Sequence, residues 1–590
     1  MKTDHLIIIK KSVVLIILSY LLISCDHDSK TVKDVIDSKI SYLYKTMDSK
    51  ELISLDYDKV LSLFSDDEKE VLATKHWTFD VNVPVVVSVM RSTEQKIVPF
   101  WLSEKGFVRT DLIMKNEQTV YEVWQKSLRA GTVGLGINGF ENYSLHYFVS
   151  VTPQKSGDHL VLSNFLPANQ FVGTLDNGAF TYHDWDELTL YEVPDPLKGQ
   201  MLLTTVRGRG VESWLTNVFR VTEYPSSNIP DQVMLTWSSD PETGIDIQWR
   251  TDTSISEGAV RYRLSGTGEE LTAAAEKYCI DDRVLMNDRT VNRYTAKLRN
   301  LKPGETYEYL VVPQDKYQES QTFSTPGKDR DFTYIWFGDT HHSPKFGELI
   351  RAAEKRHPET AFYSIAGDIV SDGLYRNQWD DIFDFSDSVI SRKPLMVVPG
   401  NHDNRAGLGA LMFRELFSYP MNGPDGVEKE QTYSFTYKNA LFLMIDATSP
   451  IDAQTSWIEN QLAGSDAVWK FAMFHFPPYS SDGGYREIRK KWCSLFDKYH
   501  VDMVMSGHVH NYLRTEPMKD EKPVSTPSEG TVYLVSIAIP DNDPQDRLPF
   551  AESQVSGEML YQKVMINGNR LEYKAMNIDG VVRDQLEIIK

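Results

Sequence analysis

Five short apolar runs stand in the second half of the chain, and polar residues follow each of them at once. The runs are F-T-Y-I-W-F at 332–337, A-F-Y-S-I-A at 361–366, P-L-M-V-V at 394–398, W-K-F-A-M-F at 469–474 and V-D-M-V-M at 501–505. They are rich in β-branched and aromatic residues and nearly free of charge. This pattern predicts strands that are buried on both faces of a mostly parallel sheet.

Patterns of helical period separate these runs. They cover 346–357, 380–391, 456–463 and 486–499. Alternating strands and helices are typical of an α/β fold, in which ligands bind at the carboxyl ends of parallel strands. The polar segments that follow the five runs are therefore expected to meet at one edge.

These polar segments are G-D-T-H-H at 338–342, A-G-D-I-V at 366–370, P-G-N-H-D at 399–403, M-F-H-F-P at 473–477 and S-G-H-V-H at 506–510. They supply two carboxylates, four imidazoles and one amide, from Asp339, His341, Asp368, Asn401, His475, His508 and His510. Such a set suits Zn, Fe or Mn and contains no cysteine. Buried Asp, Asn and His also cap helices and close turns, but five such segments in this order favour a metal site.

A pair of metal ions about 3.5–4 Å apart needs a ligand that reaches both, and a carboxylate can do so. We predict that Asp368 is this bridging ligand. Two ions would polarise a phosphoryl group and lower the pKa of a bound water from 15.7 towards about 7, which gives a hydroxide nucleophile at neutral pH.

With these motifs, the chain from about residue 331 to 590 resembles the calcineurin-like metallophosphoesterase superfamily. The resemblance implies an α/β/β/α sandwich. It also implies that Asp339, His341 and His510 bind the first metal, that Asn401, His475 and His508 bind the second, and that Asp368 bridges them. His402 matches the residue that stabilises the transferring phosphoryl group and protonates the leaving oxygen, with Asp403 as its orienting partner.

The segments at 235–251 and 294–309 resemble the fibronectin type III-like amino-terminal domain of purple acid phosphatases. Their alternation and the Pro-Gly turn predict a β-sandwich independently. The purple enzymes, however, have a Tyr where this chain has Ser371 and a Gly where it has His341. The resemblance therefore implies two divalent ions, Mn, Fe or Zn, and no iron(III) charge-transfer band.

Three further residues are candidate substrate contacts: His342, Arg405 and Tyr479. Each has a simpler interpretation as well. His342 could bond to a loop, Arg405 could be an ordinary surface residue, and Tyr479 could pack within an aromatic loop.

The amino terminus has the features of an export signal. Three lysines, Lys2, Lys10 and Lys11, precede an apolar stretch at 13–23 that runs into L-I-S-C at 22–25. This pattern predicts a signal peptide over 1–24 rather than a spanning helix. The last four residues resemble a bacterial lipobox, which implies lipid on Cys25 and a lipid-anchored protein on a periplasmic or cell-surface membrane face. The alternative is an ordinary signal peptide with an incidental cysteine.

The remaining chain is divided by composition. We predict a tether and short helical segment over 25–75, polar to about residue 46, an uncharacterised mostly-β domain over 76–221, the fibronectin-like domain over 222–326 and the phosphoesterase domain over 327–590. Only Cys279 and Cys493 follow Cys25, which argues against a disulfide framework.

The net charge of −21 disfavours binding to duplex nucleic acid, because that affinity depends largely on cationic side chains. The sequence favours a hydrolase of small phosphate esters, with monoesters preferred. Two alternatives are a phosphodiesterase or nucleotide-cleaving enzyme on the same site, and a surface lipoprotein that binds glycan or another ligand and has a vestigial phosphoesterase domain. The sequence leaves the oligomeric state open.

Overall fold

The computed structural model describes residues 30–143, 145–168, 170–185, 188–313, 320–540 and 544–590. The predicted signal peptide over 1–24 and Cys25 lie outside this part of the chain. Within it, we find no helix that combines the length and apolarity needed to span a bilayer.

The described chain begins with short helices, α1 (Val32–Thr46), α2 (Ser49–Ile53), α3 (Tyr57–Ser62) and α4 (Asp66–Thr74). The predicted tether is wrong from residue 32 onward, because α1 is an amphipathic helix that packs against the following units. Its buried face includes Val35, Ile36, Ile40 and Leu43, which recur at helical spacing. The polar residues between them made this stretch look like a linker. Ser65 caps α4.

The next unit is built almost entirely of strands, as predicted. These are β1 (Trp77–Val81), β2 (Val85–Ser92), β3 (Val108–Asn116), β4 (Val120–Leu128), β5 (Gly131–Leu135), β6 (Phe148–Pro153), β7 (Leu162–Leu166), β8 (Phe171–Thr174), β9 (Leu190–Glu192) and β10 (Met201–Thr204), with helix α5 (Phe100–Glu104) after β2. They form a three-stranded sheet, β5-β1-β7, and a seven-stranded sheet, β8-β10-β6-β2-β4-β3-β9. We call residues 76–221 the amino-terminal β unit.

A second β unit follows, with seven strands in the order β11-β12-β15-β14-β13-β16-β17. Their bounds are β11 (Asp231–Thr236), β12 (Ile245–Asp252), β13 (Ala259–Leu264), β14 (Leu271–Asp281), β15 (Thr290–Leu298), β16 (Thr306–Val312) and β17 (Gln321–Ser324). The first half of β14 pairs with β13 and its second half pairs with β15, so this long strand joins two groups of strands.

The carboxyl-terminal domain contains two sheets, β20-β19-β18-β30-β31-β32 and β21-β22-β23-β24-β28-β25-β29. The strands of the first sheet are β18 (Phe332–Phe337), β19 (Thr360–Ile365), β20 (Leu395–Val397), β30 (Leu560–Asn567), β31 (Arg570–Asn577) and β32 (Val582–Ile589). Those of the second are β21 (Tyr433–Tyr437), β22 (Ala440–Met444), β23 (Trp469–Met473), β24 (Met503–Ser506), β25 (Tyr512–Thr515), β28 (Val532–Val535) and β29 (Ala551–Val555); β26 (Met518–Lys519) and β27 (Lys522–Pro523) form a separate short hairpin.

Helices cover the outer faces of these sheets. They are α6 (Pro344–Arg356), α7 (Arg376–Ile390), α8 (Leu411–Leu416), α9 (Ile451–Ala463), α10 (Arg486–Ile488) and α11 (Ser494–Tyr499). In β22, Phe442 faces the core shared with the first sheet, whereas its neighbours Leu441 and Leu443 pack with α9 and α11. This alternation places one face of the strand between the sheets and the other under helices. The α/β/β/α sandwich is therefore confirmed.

A buried ionic network joins the second β unit to this domain. Arg250 of β12 lies 2.8 Å from Asp380 of α7, and both side chains are 2% exposed. Asp380 also lies 3.3 Å from Arg376 and accepts a hydrogen bond from Gln232. Removing one partner of such a pair leaves an uncompensated charge in a dry environment, which is strongly destabilising.

We therefore expect Arg250→Met to lower the free energy of unfolding by about 3–5 kcal/mol. Arg263→Met is the matched control, because Arg263 and its partner Glu308 are 31% and 21% exposed. That change should cost about 0–1 kcal/mol. Denaturant unfolding of both variants checks the prediction, and equal losses would contradict it.

Candidate metal centre

The five predicted runs are strands, and their carboxyl ends bring the polar segments together. In the first sheet, β18, β19 and β20 are parallel neighbours, and Asp339, Asp368 and Asn401 follow them. In the second sheet, β23 and β24 are also parallel, and His475 and His508 follow them. The site therefore lies where the edges of two layers meet.

Asp339, His341 and His510 form one group of potential ligands. Asp339 Oδ2 lies 3.3 Å from His510 Nε2 and 3.8 Å from His341 Nε2. The two imidazole Nε2 atoms are 3.2 Å apart. These are the three residues predicted for the first metal.

Asp368, His475 and His508 form a second group. His475 Nε2 lies 3.0 Å from Asp368 Oδ2 and 3.0 Å from Asn401 Oδ1. Asn401 Oδ1 is also 3.0 Å from His508 Nδ1. Donor atoms of the predicted second set thus converge on one point.

Asp368 lies between the two groups. Its Oδ2 atom is 3.9 Å from His341 Nε2 on one side and close to His475 on the other. Its Oδ1 atom accepts a hydrogen bond of 2.8 Å from the backbone N–H of His402. A carboxylate in this position can reach a cation in each group.

The ligand loops have a strained, closely packed backbone. His341, Asp368 and His508 have φ values of 42°, 49° and 73°, in the left-handed region that non-glycine residues seldom adopt. A Cβ on Gly400 would lie 2.2 Å from Asp368 Oδ1, and one on Gly507 would lie 2.0 Å from Asp339 Oδ1. Glycine precedes these ligands because no other residue leaves room for the carboxylates.

Buried charges of opposite sign balance each other in the site. Burial alone would raise the pKa of Asp339 and of Asp368, but neighbouring imidazoles hold both carboxyl groups below their ordinary pKa. Burial lowers the pKa of His475, yet these two carboxylates raise it to about 9. Burial and the proximity of His475 lower the pKa of His508 to about 4. At neutral pH both carboxylates are ionised and His508 is neutral.

The partner of His402 differs from the predicted one. His402 Nδ1 lies 2.8 Å from the backbone oxygen of Ser371, which accepts a hydrogen bond from it. Asp403 does not orient His402; its carboxylate accepts hydrogen bonds from the backbone N–H groups of Ile369, Val370 and Gly400. Asp403 therefore ties the loops of Asp368 and Asn401 together.

Ser371 also contacts the residue that distinguishes this site from the purple pattern. Its Oγ atom lies 3.4 Å from His341 Nδ1. The small serine thus leaves room beside the imidazole and contacts its outer nitrogen.

None of the three candidate substrate contacts belongs to the metal-ligand groups found in the described chain. His342 Nδ1 lies 3.1 Å from Asp381 of α7, and Arg405 forms an ion pair of 3.2 Å with Asp372. Tyr479 is 7% exposed and packs against Tyr533. Tyr479 is thus a core residue, and the prediction of a substrate contact there is wrong.

Sequence reasoning missed Tyr485. Its hydroxyl lies 3.0 Å from His508 Nε2, and its ring stacks on Phe476 at 4.4 Å. Tyr485 comes from a loop without a motif, ten residues beyond His475, so only the folded chain reveals its place.

Two family models match this chain. Residues 332–512 match the calcineurin-like phosphoesterase family, and residues 230–325 match the purple acid phosphatase N-terminal domain. The matches coincide with the two segments for which the sequence motifs implied these resemblances.

Curated relatives agree with these matches. An uncharacterized protein of Mycobacterium tuberculosis is 26% identical over 361 residues, which cover 51% of this chain and 68% of that protein. The probable purple acid phosphatase 20 of Arabidopsis thaliana is 24% identical over 322 residues, covering 52% of this chain and 73% of that one.

One solved structure extends the likeness to most of the fold. The purple acid phosphatase PPD1 from yellow lupin seeds (Lupinus luteus) superposes with a TM-score of 0.54 at 16% identity, covering 88% of this chain and 94% of that one. At this identity the likeness concerns the fold alone.

Adjacent histidines offer a sharp test of the ligand set. His341→Ala should lower the bound metal, which we expect at about two ions per chain in the wild type, because His341 belongs to the first group. His342→Ala should leave the metal content unchanged, because His342 points to Asp381. Elemental analysis of both purified variants decides; equal metal content would contradict this assignment.

Proposed function

We propose that this chain, whose residues 332–512 match the calcineurin-like phosphoesterase family and whose residues 230–325 match the purple acid phosphatase N-terminal domain, hydrolyses phosphomonoesters with two divalent metal ions. The coarser activity, metal-dependent hydrolysis of phosphoesters, follows from the matched family and from the grouped ligands. The observation that carries the finer proposal is the position of Asp368 between two groups of potential ligands.

The residues fit a pair of cations by their own chemistry. Asp339 Oδ2 is buried and accepts no hydrogen bond from the described residues. A buried anionic oxygen without a donor is costly unless a cation neutralises it. Carboxylate, amide and imidazole donors suit Mn, Fe or Zn, and the ligands of the first and second group would hold one ion each.

Two bound divalent ions would supply Lewis acidity towards the phosphoryl oxygens and lower the pKa of a coordinated water. The protein side chains have separate tasks. The Nδ1–H of His402 donates a hydrogen bond to the Ser371 carbonyl oxygen, which leaves Nε2 for the substrate. In its protonated form, His402 would stabilise the transferring phosphoryl group through Nε2–H and give that proton to the leaving oxygen. Asp403 holds the loop that carries His402 in place through backbone amides.

The preference for monoesters rests on the domain that precedes the phosphoesterase domain. That domain is of the kind named for purple acid phosphatases, and several plant relatives carry the same name. The alternative is a diesterase on the same site, which an assay with a monoester and a diester would reveal by faster hydrolysis of the diester.

We expect the wild type, loaded with Mn, Zn or Fe, to hydrolyse nitrophenyl phosphate faster than bis-nitrophenyl phosphate. His402→Ala should lower kcat about 10²–10⁴-fold and leave the bound metal unchanged, because a general acid acts on the reacting oxygen. Steady-state rates and elemental analysis of the same preparations provide the measurement.

Asp368→Asn is the companion variant. It should lose both activity and metal, whereas His402→Ala loses activity alone. If neither variant differs from the wild type on either ester, the enzyme proposal fails. A faster reaction with the diester would overturn the preference for monoesters.

We further propose that the protein is exported and held on a membrane by lipid on Cys25. The support is the charged and apolar pattern of residues 1–24 and the L-I-S-C sequence that ends at Cys25. In a bacterial host, the wild type should incorporate labelled fatty acid and sediment with membranes, and Cys25→Ser should do neither. Label in the Cys25→Ser variant would contradict the proposal.

A further inference from the structure

A cavity of about 780 Å³ opens between the amino-terminal β unit and the phosphoesterase domain. The turn at 180–185 forms one wall, and residues 407–409 and 447–451 contribute to the others. A larger cavity, of about 1190 Å³, lies elsewhere, and its described lining includes none of the candidate metal ligands. A small cavity of about 380 Å³ includes His508 in its lining, and the 780 Å³ cavity borders the metal centre through Phe476, the neighbour of His475.

Two aromatic residues are shared between the cavity and the metal centre. Phe476 follows His475 directly, and its ring lies 4.9 Å from that of His508. Tyr485, whose hydroxyl contacts His508, lines the same cavity. A molecule that has its phosphate at the ligand groups could therefore place its leaving group here.

The cavity presents aromatic surfaces from both domains. Trp185 of the β unit lies 5.5 Å from Phe476, which in turn stacks on Tyr485. At the rim, Phe171 and Phe180 are 44% and 42% exposed. Exposed aromatic rings around a pocket are typical of a binding site for another flat, apolar group.

The wall of the β unit is held firmly in place. Asp184 pairs with Arg207 at 2.7 Å, and the Arg207 guanidinium lies 4.6 Å from the centre of the Trp185 ring. A Cβ on Gly407 would lie 2.7 Å from the Cβ atom of Asp184. The backbone of the phosphoesterase domain at Gly407 is therefore in close contact with a side chain of the β unit. A preformed wall costs little ordering when a ligand binds.

The charges in the cavity disfavour an anionic occupant. Its lining includes Glu428 and Glu487 beside Arg486, and Asp184 is already paired. Burial lowers the pKa of His183, which is therefore neutral at pH 7. A neutral ring fits this lining better than a second phosphate does.

We propose that this cavity is a leaving-group subsite for a flat aromatic ring, joined through the ester oxygen to the phosphate at the metal centre. This inference rests on the proposed phosphoester hydrolysis and adds the class of substrate. It also gives the amino-terminal β unit a part in selecting that substrate.

The test compares three esters, naphthyl phosphate, adenosine monophosphate and glycerol phosphate, in the wild type, Trp185→Ala and the double variant Phe171→Ala/Phe180→Ala. Each variant is compared with the wild type on the same ester, so differences in leaving-group reactivity cancel. We expect kcat/KM to fall about 5- to 100-fold for the aromatic esters, as for other stacked rings. Glycerol phosphate should change less than about twofold, since it has no ring to stack.

The two aromatic esters together identify the kind of ring that the cavity accepts. A lower kcat/KM for naphthyl phosphate alone indicates an aryl group, and a lower kcat/KM for adenosine monophosphate indicates a nucleoside. Tyr191→Ala is the control, because Tyr191 is a 55% exposed aromatic residue of the same β unit outside the cavity lining. Equal losses on all three esters, no loss on any, or the same loss in the control would overturn the proposal.

A binding measurement separates this proposal from the proposed function. Saturation-transfer NMR with naphthol and adenosine, which have the ring but no phosphate, should show contact with the wild type and much less with the double variant. Ring binding without hydrolysis of any ester would defeat the proposed function and leave the cavity as a ring-binding site only. Hydrolysis without ring binding would defeat the subsite alone.

Discussion

The metal centre depends on an electrostatic match between two layers of the sandwich. The first sheet brings the buried carboxylates Asp339 and Asp368 to its edge, and these repel each other. The second sheet brings imidazoles to the same place, among them His475, whose pKa the carboxylates raise to about 9. Neither edge would be stable when buried alone, because an unpaired charge in a dry environment is very costly. Asp403 holds the loops of the first sheet together through backbone N–H groups, and the backbone N–H of His508, which donates to Asp339 Oδ1, joins the edge of the second sheet to that of the first.

The amino-terminal β unit extends this arrangement outward. It packs against the loop that follows the ligand segment at 399–403, where Gly407 meets Asp184. The same contact positions Trp185 near Phe476, next to a ligand of the centre. A unit that precedes the phosphoesterase domain by more than a hundred residues thus forms part of the surroundings of its active site.

The sequence predicts the parallel strands and the grouping of all seven candidate ligands in one cluster, because each segment that contains them follows an apolar run. Its failures concern longer-range partners. The amides that Asp403 binds include those of residues 33 and 34 positions away, so no local pattern could distinguish that role from orientation of His402. Tyr479 and Tyr485 lie on one loop, and the sequence does not distinguish them. In the folded chain, Tyr479 packs against Tyr533 in the core, whereas Tyr485 contacts His508 at the metal centre. Polar residues on the outer face of helix α1 obscured its helical spacing of apolar residues, so the sequence pattern predicted a tether there.

The buried pair of Arg250 and Asp380 has a consequence for how such a protein can change over generations. Thr222 and Gln232, from the segments before and within the second β unit, also bond to Asp380. A recombination that joined this phosphoesterase domain to a different β unit would remove Arg250, Thr222 and Gln232 and leave that carboxylate with Arg376 of its own helix. The second β unit and the phosphoesterase domain are therefore constrained to be inherited together. The boundary between them is visible in the sequence, but exchanging the β unit there would disrupt this buried network.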